Sequence, residues 1–240
     1  MTRYDAVEAG SYRVAREIAL EGLSSWRDAV APYLTPGRVV LDLGAGTGLF
    51  VRAFGTWFPD VAVVAVEPSA DMRAASGLPM LTGDACSVPL EPTSVDVVWM
   101  STVIHHVRDL AACGQELRRV LRPGGVVLLR SLFRERHSGI GLFRFFPEAT
   151  RALSGFPTVA EVADGLGFAV QSLAPVPQVT ALSLAEKAST VRQEADTLLR
   201  SLSPSEFAAG RERLLAAAAT ESGPVVDHLD LLVLRTVGAV

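Results

Sequence analysis

Residues 39–48 read VVLDLGAGTG, and the reading of this stretch decides the fold. Five residues of nearly unbroken apolar character are the signature of a strand buried on both faces, as in a parallel sheet. Glycines at 44, 46 and 48 then permit a tight turn and let backbone amides approach a ligand closely. The next residues, LFVRAFGTWF, carry helix-like apolar spacing. A helix N-terminus therefore faces the turn. Glycine-rich turns of this kind also serve dinucleotides, but that fingerprint wants a third glycine where Leu49 stands. Asp42, two residues before the first glycine, would repel a pyrophosphate and can serve a cationic ligand.

The strand and helix alternation repeats outward from this unit. VAVVAVE (61–67) reads as a second strand, followed by a helix with Ser69 as N-cap and Asp71 in its first turn. A short third strand is expected around Met80 and Leu81, ending at Gly83 and Asp84. VDVVWMS (95–101) is a fourth, LAACGQELRRVL a helix leaving through Pro123-Gly124-Gly125, and VVLLRSL (126–132) a fifth. Thr158 and Glu161 form a capping box for VAEVADGL, with Gly167 as its stop. FAVQSL (168–173) and HLDLLVLRTV (228–237) complete the set.

The expectation is an α/β fold with a doubly wound, seven-stranded, mostly parallel sheet whose last strand is antiparallel. Residues 1–34 read as an N-terminal helical lid, 37–175 and 226–240 as a Rossmann-like core, and 177–225 as a helical cap. Two cap helices are expected, one over ALSLAEKASTVRQEADTLLRSL and one over FAAGRERLLAAAA, the second introduced by Ser203-Pro204-Ser205-Glu206.

The 240 residues are 49% hydrophobic, enough for a substantial core without metals or disulfides. Acidic residues number 26 against 22 basic ones, mixed along the chain, so no basic face for nucleic acid is expected. A single lysine, Lys187, stands among the basic residues and the rest are arginine. Cys86 and Cys113 form no paired framework and no metal motif, which fits a reducing cytoplasm. The N-terminus lacks the apolar core of a signal peptide, and no apolar run approaches a membrane span.

Further acidic residues end the next strands. Glu67 stands where a carboxylate can accept hydrogen bonds from ribose hydroxyls. Asp84, within LTGDAC, is placed to accept from an adenine amine. With LDLGAGTG, VEPS, GDACSVPL, VDVVWMSTVIHHVRD and LRRVLRPGGVVLL in this order, the chain resembles the class I S-adenosylmethionine-dependent methyltransferases over about residues 37–132. The resemblance is to the small-molecule branch that includes the ubiquinone and menaquinone methyltransferases. It implies S-adenosylmethionine as methyl donor, S-adenosylhomocysteine as product and a small-molecule acceptor.

By this resemblance, Gly44, Gly46 and Gly48 approach the methionine part and Glu67 holds the ribose, with Asp42, Ala45, Thr47, Pro68 and Met72 also in the cofactor site. Asp84, Ala85 and Cys86 frame adenine, and Ser101 lies beside the sulfonium. Tyr12 belongs to a segment that in relatives folds over the cofactor. His106 and His105 follow the fourth strand, where an imidazole can take a proton from an acceptor; the plainer reading is that the pair shapes the cofactor pocket. Asp96 reads as a strand-start residue outside the site. A same-fold enzyme catalysing a cyclisation or decarboxylation, and a non-catalytic partner subunit, stay open as alternatives, whereas Asp42 and Leu49 disfavour a nicotinamide oxidoreductase.

Overall fold

The computed structural model describes residues 20–236 except Ala195. The expected lid falls mostly outside these residues, as does Tyr12. What is described begins with a 3-10 turn, Leu20–Leu23, leading into helix α1 (Ser24–Val30), whose Trp26 and Val30 are fully buried.

Six strands form one sheet: β1 (Val39–Leu43), β2 (Ala62–Val66), β3 (Val95–Ser101), β4 (Leu121–Ser131), β5 (Phe168–Ala181) and β6 (Val225–Thr236). Their order is β2-β1-β3-β4-β6-β5, with β1 parallel to β2 and β3, β3 parallel to β4, and β6 antiparallel to both β4 and β5. The expected α/β architecture with an antiparallel last strand is present. Among the described residues a seventh strand is not. Around Met80 and Leu81 the chain makes one parallel bridge, Leu81 to Val66, where Leu81 N donates to Ala65 O and Glu67 N to Leu81 O. Pro79 has no N–H for a longer ladder. Beyond Leu81 the chain turns into a tight reversal in which Asp84 and Ser87 bond each other.

Because β1 to β5 all point the same way, their carboxyl ends meet at one edge of the sheet. Helices α2 (Leu49–Trp57), α3 (Ala70–Ser76) and α4 (Leu110–Val120) follow β1, β2 and β3. Ser69 caps α3 as the sequence suggests, accepting from Met72 N, and Asp109 caps α4, accepting from Ala112 N. Helix α5 (Leu142–Phe145) and a 3-10 stretch (Pro147–Gly155) separate β4 from α6 (Val159–Leu166), which has the Thr158/Glu161 capping box and Gly167 in a left-handed C-cap.

The sheet divides two cores. On one face Trp99 takes the edge of Trp26 and packs against Phe50 and Phe54. On the other, Val98, Met100, Leu117, Leu129 and Leu166 are buried together.

Strand β5 runs eight residues past the expected FAVQSL, so the connection to β6 spans residues 182–224. It holds α7 (Leu184–Thr190), a 3-10 turn (Leu199–Ser201) and α8 (Pro204–Ala218). The first cap helix is much shorter than its composition suggests. β-Branched Thr190 and Val191 end it, and the Asp196 side chain accepts from Leu198 N to start a new turn. The second begins with the Ser203/Glu206 capping box and Pro204 in its first turn. Phe146 stacks on Phe207, and Arg213 donates to Phe145 O, tying α8 to the α5 region.

Helices α4 and α6 touch through glycine: a Cβ at Gly114 would come within 2.1 Å of Leu166 O. Gly114→Ala should therefore destabilise the fold by roughly 1–3 kcal/mol, the usual cost of overpacking. Urea denaturation measures it, and an unchanged midpoint would show that the two helices separate freely.

Candidate functional site

The turn after β1 is held in three ways. Gly44 N and Ala45 N both donate to Val66 O, and Gly46 N donates to Glu67 Oε2 at 2.8 Å. Glu67 Oε1 accepts from Ser69 N at 2.9 Å, so one carboxylate joins the turns after β1 and β2. Gly44, Gly46 and Gly48 have φ of 78°, 57° and 82°, left-handed values that favour glycine. Around Gly46 a Cβ would meet nothing within 4 Å, whereas at Gly44 it would strike Val103 at 2.6 Å. The turn is pressed against protein at one end and open at its middle, as a ligand cradle requires.

Two cavities meet at Gly44. The larger, of about 590 Å³, is floored by Asp42, Gly44, Ala45, Gly46, Thr47 and Ser101. Thr102 and His105, the ends of β4, β5 and β6, and Lys187, Asp196, Thr197 and Leu198 of the connection form its other walls. The smaller, of about 190 Å³, lies between Pro68, Asp84, Ala85 and Cys86 on one side and Val103, His106 and Asp109 on the other. Its size and flat apolar lining suit an adenine, while the larger has room for an amino-acid moiety and a second molecule.

The positions suggested by the sequence distribute between these spaces. Asp42, Ala45, Gly46, Thr47 and Ser101 line the larger, Pro68, Asp84, Ala85 and Cys86 the smaller, and Gly44 both. Glu67 lines neither; it is buried between the two turns. Gly48 caps α2 and Met72 is buried, so both are set back from the walls. Asp84 Oδ1 is engaged by Cys86 N at 2.8 Å. The histidine pair divides: the rings are 4.0 Å apart, but His105 faces the larger cavity, stacked on Phe156 at 4.5 Å, and His106 faces the smaller. Asp96 accepts from Val39 N and pairs with Arg122, a role in strand pairing away from the cavities.

Asp42 is the most unusual group in the floor. It is 2% exposed, and its Oδ2 has no hydrogen-bond partner among the described residues. Burial, with a smaller contribution from the Glu67 charge, pushes its carboxyl up to about 8. Burial also raises the Glu67 carboxyl, against the lowering effect of its two backbone donors. A buried, unsatisfied carboxyl oxygen at a cavity floor calls for a cationic donor.

Arg130, Gln178, Lys187 and Asp227 also line the larger cavity, and the sequence reading gave none of them a place in the site. Arg130 had a signal, a charged residue inside the apolar run VVLLRSL. Its Nη1 donates to Ser101 Oγ at 3.0 Å and its Nη2 to Gln178 Oε1, which also accepts from Trp26 Nε1. The guanidinium lies over the rings of Trp26 and Phe50. Gln178 could not be anticipated, because the sequence ends the sixth strand before it.

The chain matches the methyltransferase domain family over residues 41–129. It is 32% identical over 167 residues to a demethylmenaquinone methyltransferase of Roseiflexus castenholzii, covering 62% of this chain and 69% of that protein. It is 37% identical over 131 residues to a malonyl-[acyl-carrier protein] O-methyltransferase of Dechloromonas aromatica, covering 54% of this chain but only 46% of the relative. Among solved structures, a putative methyltransferase from an antibiotic biosynthesis pathway of Anabaena variabilis superposes with a TM-score of 0.66 at 22% identity, covering 88% of this chain and 96% of that one.

The raised Asp42 carboxyl has a consequence for binding. At pH 7 it is mostly protonated, and an ammonium placed against it favours the ionised form, so S-adenosylhomocysteine binding should release up to about one proton. Calorimetry in buffers of different ionisation enthalpy measures this, and Asp42→Asn should abolish it. In the free protein the same shift stabilises the fold fully below the ordinary carboxylate range. That stability is lost as pH rises through about 8.

Proposed function

The chain belongs to the class I S-adenosylmethionine-dependent methyltransferases, and from that premise we propose that it methylates an oxygen, nitrogen or carbon of a small molecule held in the 590 Å³ cavity under the residue 182–224 connection. The observation that carries this reading is the continuity of that cavity. Its floor is the glycine turn with the unsatisfied Asp42 oxygen, and its walls are the connection between β5 and β6.

S-Adenosylmethionine supplies a methyl group already activated on its sulfonium, so the protein's work is alignment, exclusion of water and, where needed, removal of a proton. Asp42 and the open middle of the glycine turn suit the donor's amino-acid end. Glu67 fixes the turn through Gly46 N and Ser69 N. Pro68, Asp84, Ala85 and Cys86 suit the adenine. Ser101, with its hydroxyl oxygen accepting from Arg130, lies in the floor between donor and acceptor space.

Proton removal falls to His105 rather than His106 in this reading, because His105 faces the larger cavity and stacks on Phe156. The connection closes the acceptor side and sheds water, with Thr197 and Leu198 in its wall. The family to which the chain belongs supports a cytoplasmic enzyme of small-molecule metabolism. Among the described residues no helix is long and apolar enough to cross a membrane.

Incubation with methyl-labelled S-adenosylmethionine and a small-molecule extract of the source cells should transfer label to a low-molecular-weight product. Donor turnover without labelled product would reject methyl transfer. With that acceptor in hand, His105→Ala should lower turnover by about 10²-fold or more while leaving S-adenosylhomocysteine affinity near wild type. His106→Ala should act chiefly on donor affinity. Thr197→Trp, which fills the acceptor side, should raise the acceptor KM and spare donor binding; equal donor and acceptor effects would place the acceptor elsewhere.

A further inference from the structure

Strands β5 and β6 run past the end of the sheet and form a two-stranded wall of the larger cavity. β4 stops at Ser131, opposite Asp230, whereas Gln178 on β5 pairs with Asp227, about 10 Å further along β6 at the usual rise per residue. Gln178 is 6% exposed and lines the cavity. Its amide is locked in one orientation. Oε1 accepts from Trp26 Nε1 at 3.1 Å and from Arg130 Nη2. Indole and guanidinium nitrogens are donors only, so turning the amide over would set N–H against N–H. Nε2 must therefore point away from both.

There Nε2 makes no hydrogen bond among the described residues, and it is open to the cavity rather than sealed in the core. Asp227, directly opposite on β6, does not take its protons: it accepts from Gly141 N at 2.7 Å and from Thr180 Oγ1 at 3.0 Å. Its carboxylate lies on the same face and would repel an anionic group brought to Gln178. The surrounding walls are apolar, with Leu132, Ile140, Leu198 and Leu229. A molecule that fills this space strips water from the amide, and a buried donor left unmade is costly. The ligand must therefore supply an oxygen. β5 stands four strands from β1, about 19 Å at the usual strand spacing, so the amide serves the acceptor rather than the donor at the glycine turn. Gln178 also lies beyond residue 129, where the family match ends.

We propose that the Gln178 side-chain amide recognises a neutral carbonyl oxygen of the acceptor, so that the substrate class is an apolar small molecule bearing a ketone, ester or amide. This rests on the methyltransferase reading. Gln178 is a specificity-determining residue, and Trp26 and Arg130 aim its N–H groups by holding its oxygen. The apolar walls take the body of the molecule.

The test uses 4-phenyl-2-butanone and its alkene isostere 2-methyl-4-phenyl-1-butene, which carries CH2 in place of the carbonyl oxygen. Each is titrated into the full chain saturated with S-adenosylhomocysteine and followed by ligand-observed NMR. Gln178→Glu keeps an oxygen for Trp26 and Arg130 and removes the donor, and thermal melting checks that it folds. The wild type should bind the ketone, and the ratio of ketone to alkene affinity should fall at least about tenfold in Gln178→Glu, the span of a buried donor lost. A second measurement needs no variant: an NOE should join the Gln178 side-chain amide protons to the methyl group of the bound ketone. No binding of the ketone, an unchanged ratio in the folded variant, or absence of that NOE would each overturn the proposal. Failure of the wild type to bind S-adenosylhomocysteine would instead overturn the methyltransferase reading beneath it.

Discussion

The Glu67 carboxylate, shared between Gly46 N and Ser69 N, is the constraint on which the rest of the site depends. Parallel strands pair along their length, but nothing in strand pairing fixes the loops at their ends. Glu67 does this for the first two. It converts two separate turns into one rigid rim, leaves the middle of the glycine turn open, and keeps Asp42 in a dry floor beneath it. The cost is two acidic groups buried close together, and both are raised as a result. Site chemistry is bought here with stability, as is common where a charged ligand completes the electrostatics.

A second network does for the larger cavity what Glu67 does for the glycine turn. Ser101 on β3, Arg130 on β4, Gln178 on β5 and Trp26 on α1 are joined by hydrogen bonds through the guanidinium and the Gln178 amide oxygen. Four elements far apart in the chain are thereby held at one depth. Thr102 follows Ser101 with φ of 55°, uncommon for a β-branched residue, and its N–H donates to Arg130 O. That reversal ends β3 and delivers His105 to one cavity and His106 to the other. Local strain of this kind is typical of a chain bent to serve a site.

The connection from β5 to β6 then covers the edge at which these networks open. It cannot emerge elsewhere, because β5 runs parallel to β1 and must end on the same side of the sheet. It is attached through Phe207 on Phe146, the buried Leu199 and Leu214, and Arg213, which donates to Phe145 O and pairs with Glu148. The polar residues it contributes, Lys187, Asp196 and Thr197, are turned to the cavity rather than to the core. The connection thus adds polar groups to the wall of the larger cavity.

By itself the sequence determined the α/β class and the turns that gather at one edge of the sheet. Continuous apolar strands, capped helices and the VVLDLGAGTG turn are local signals, and the turns around Gly44, Glu67 and Asp84 follow one another in the order of the chain. Helix caps at Ser69, Thr158 and Ser203 were legible for the same reason, since each is a contact between neighbours three residues apart. Only the tertiary structure decided the rest. The expected third strand is reduced to one bridge, because a ladder needs a partner's geometry as well as an apolar pair. The histidine pair splits between two cavities, because adjacent side chains in a 3-10 turn diverge by an angle that no sequence states. Arg130 and Gln178 meet from β4 and β5 across 48 residues of sequence, and such a meeting is fixed by sheet order and strand register rather than by any local preference.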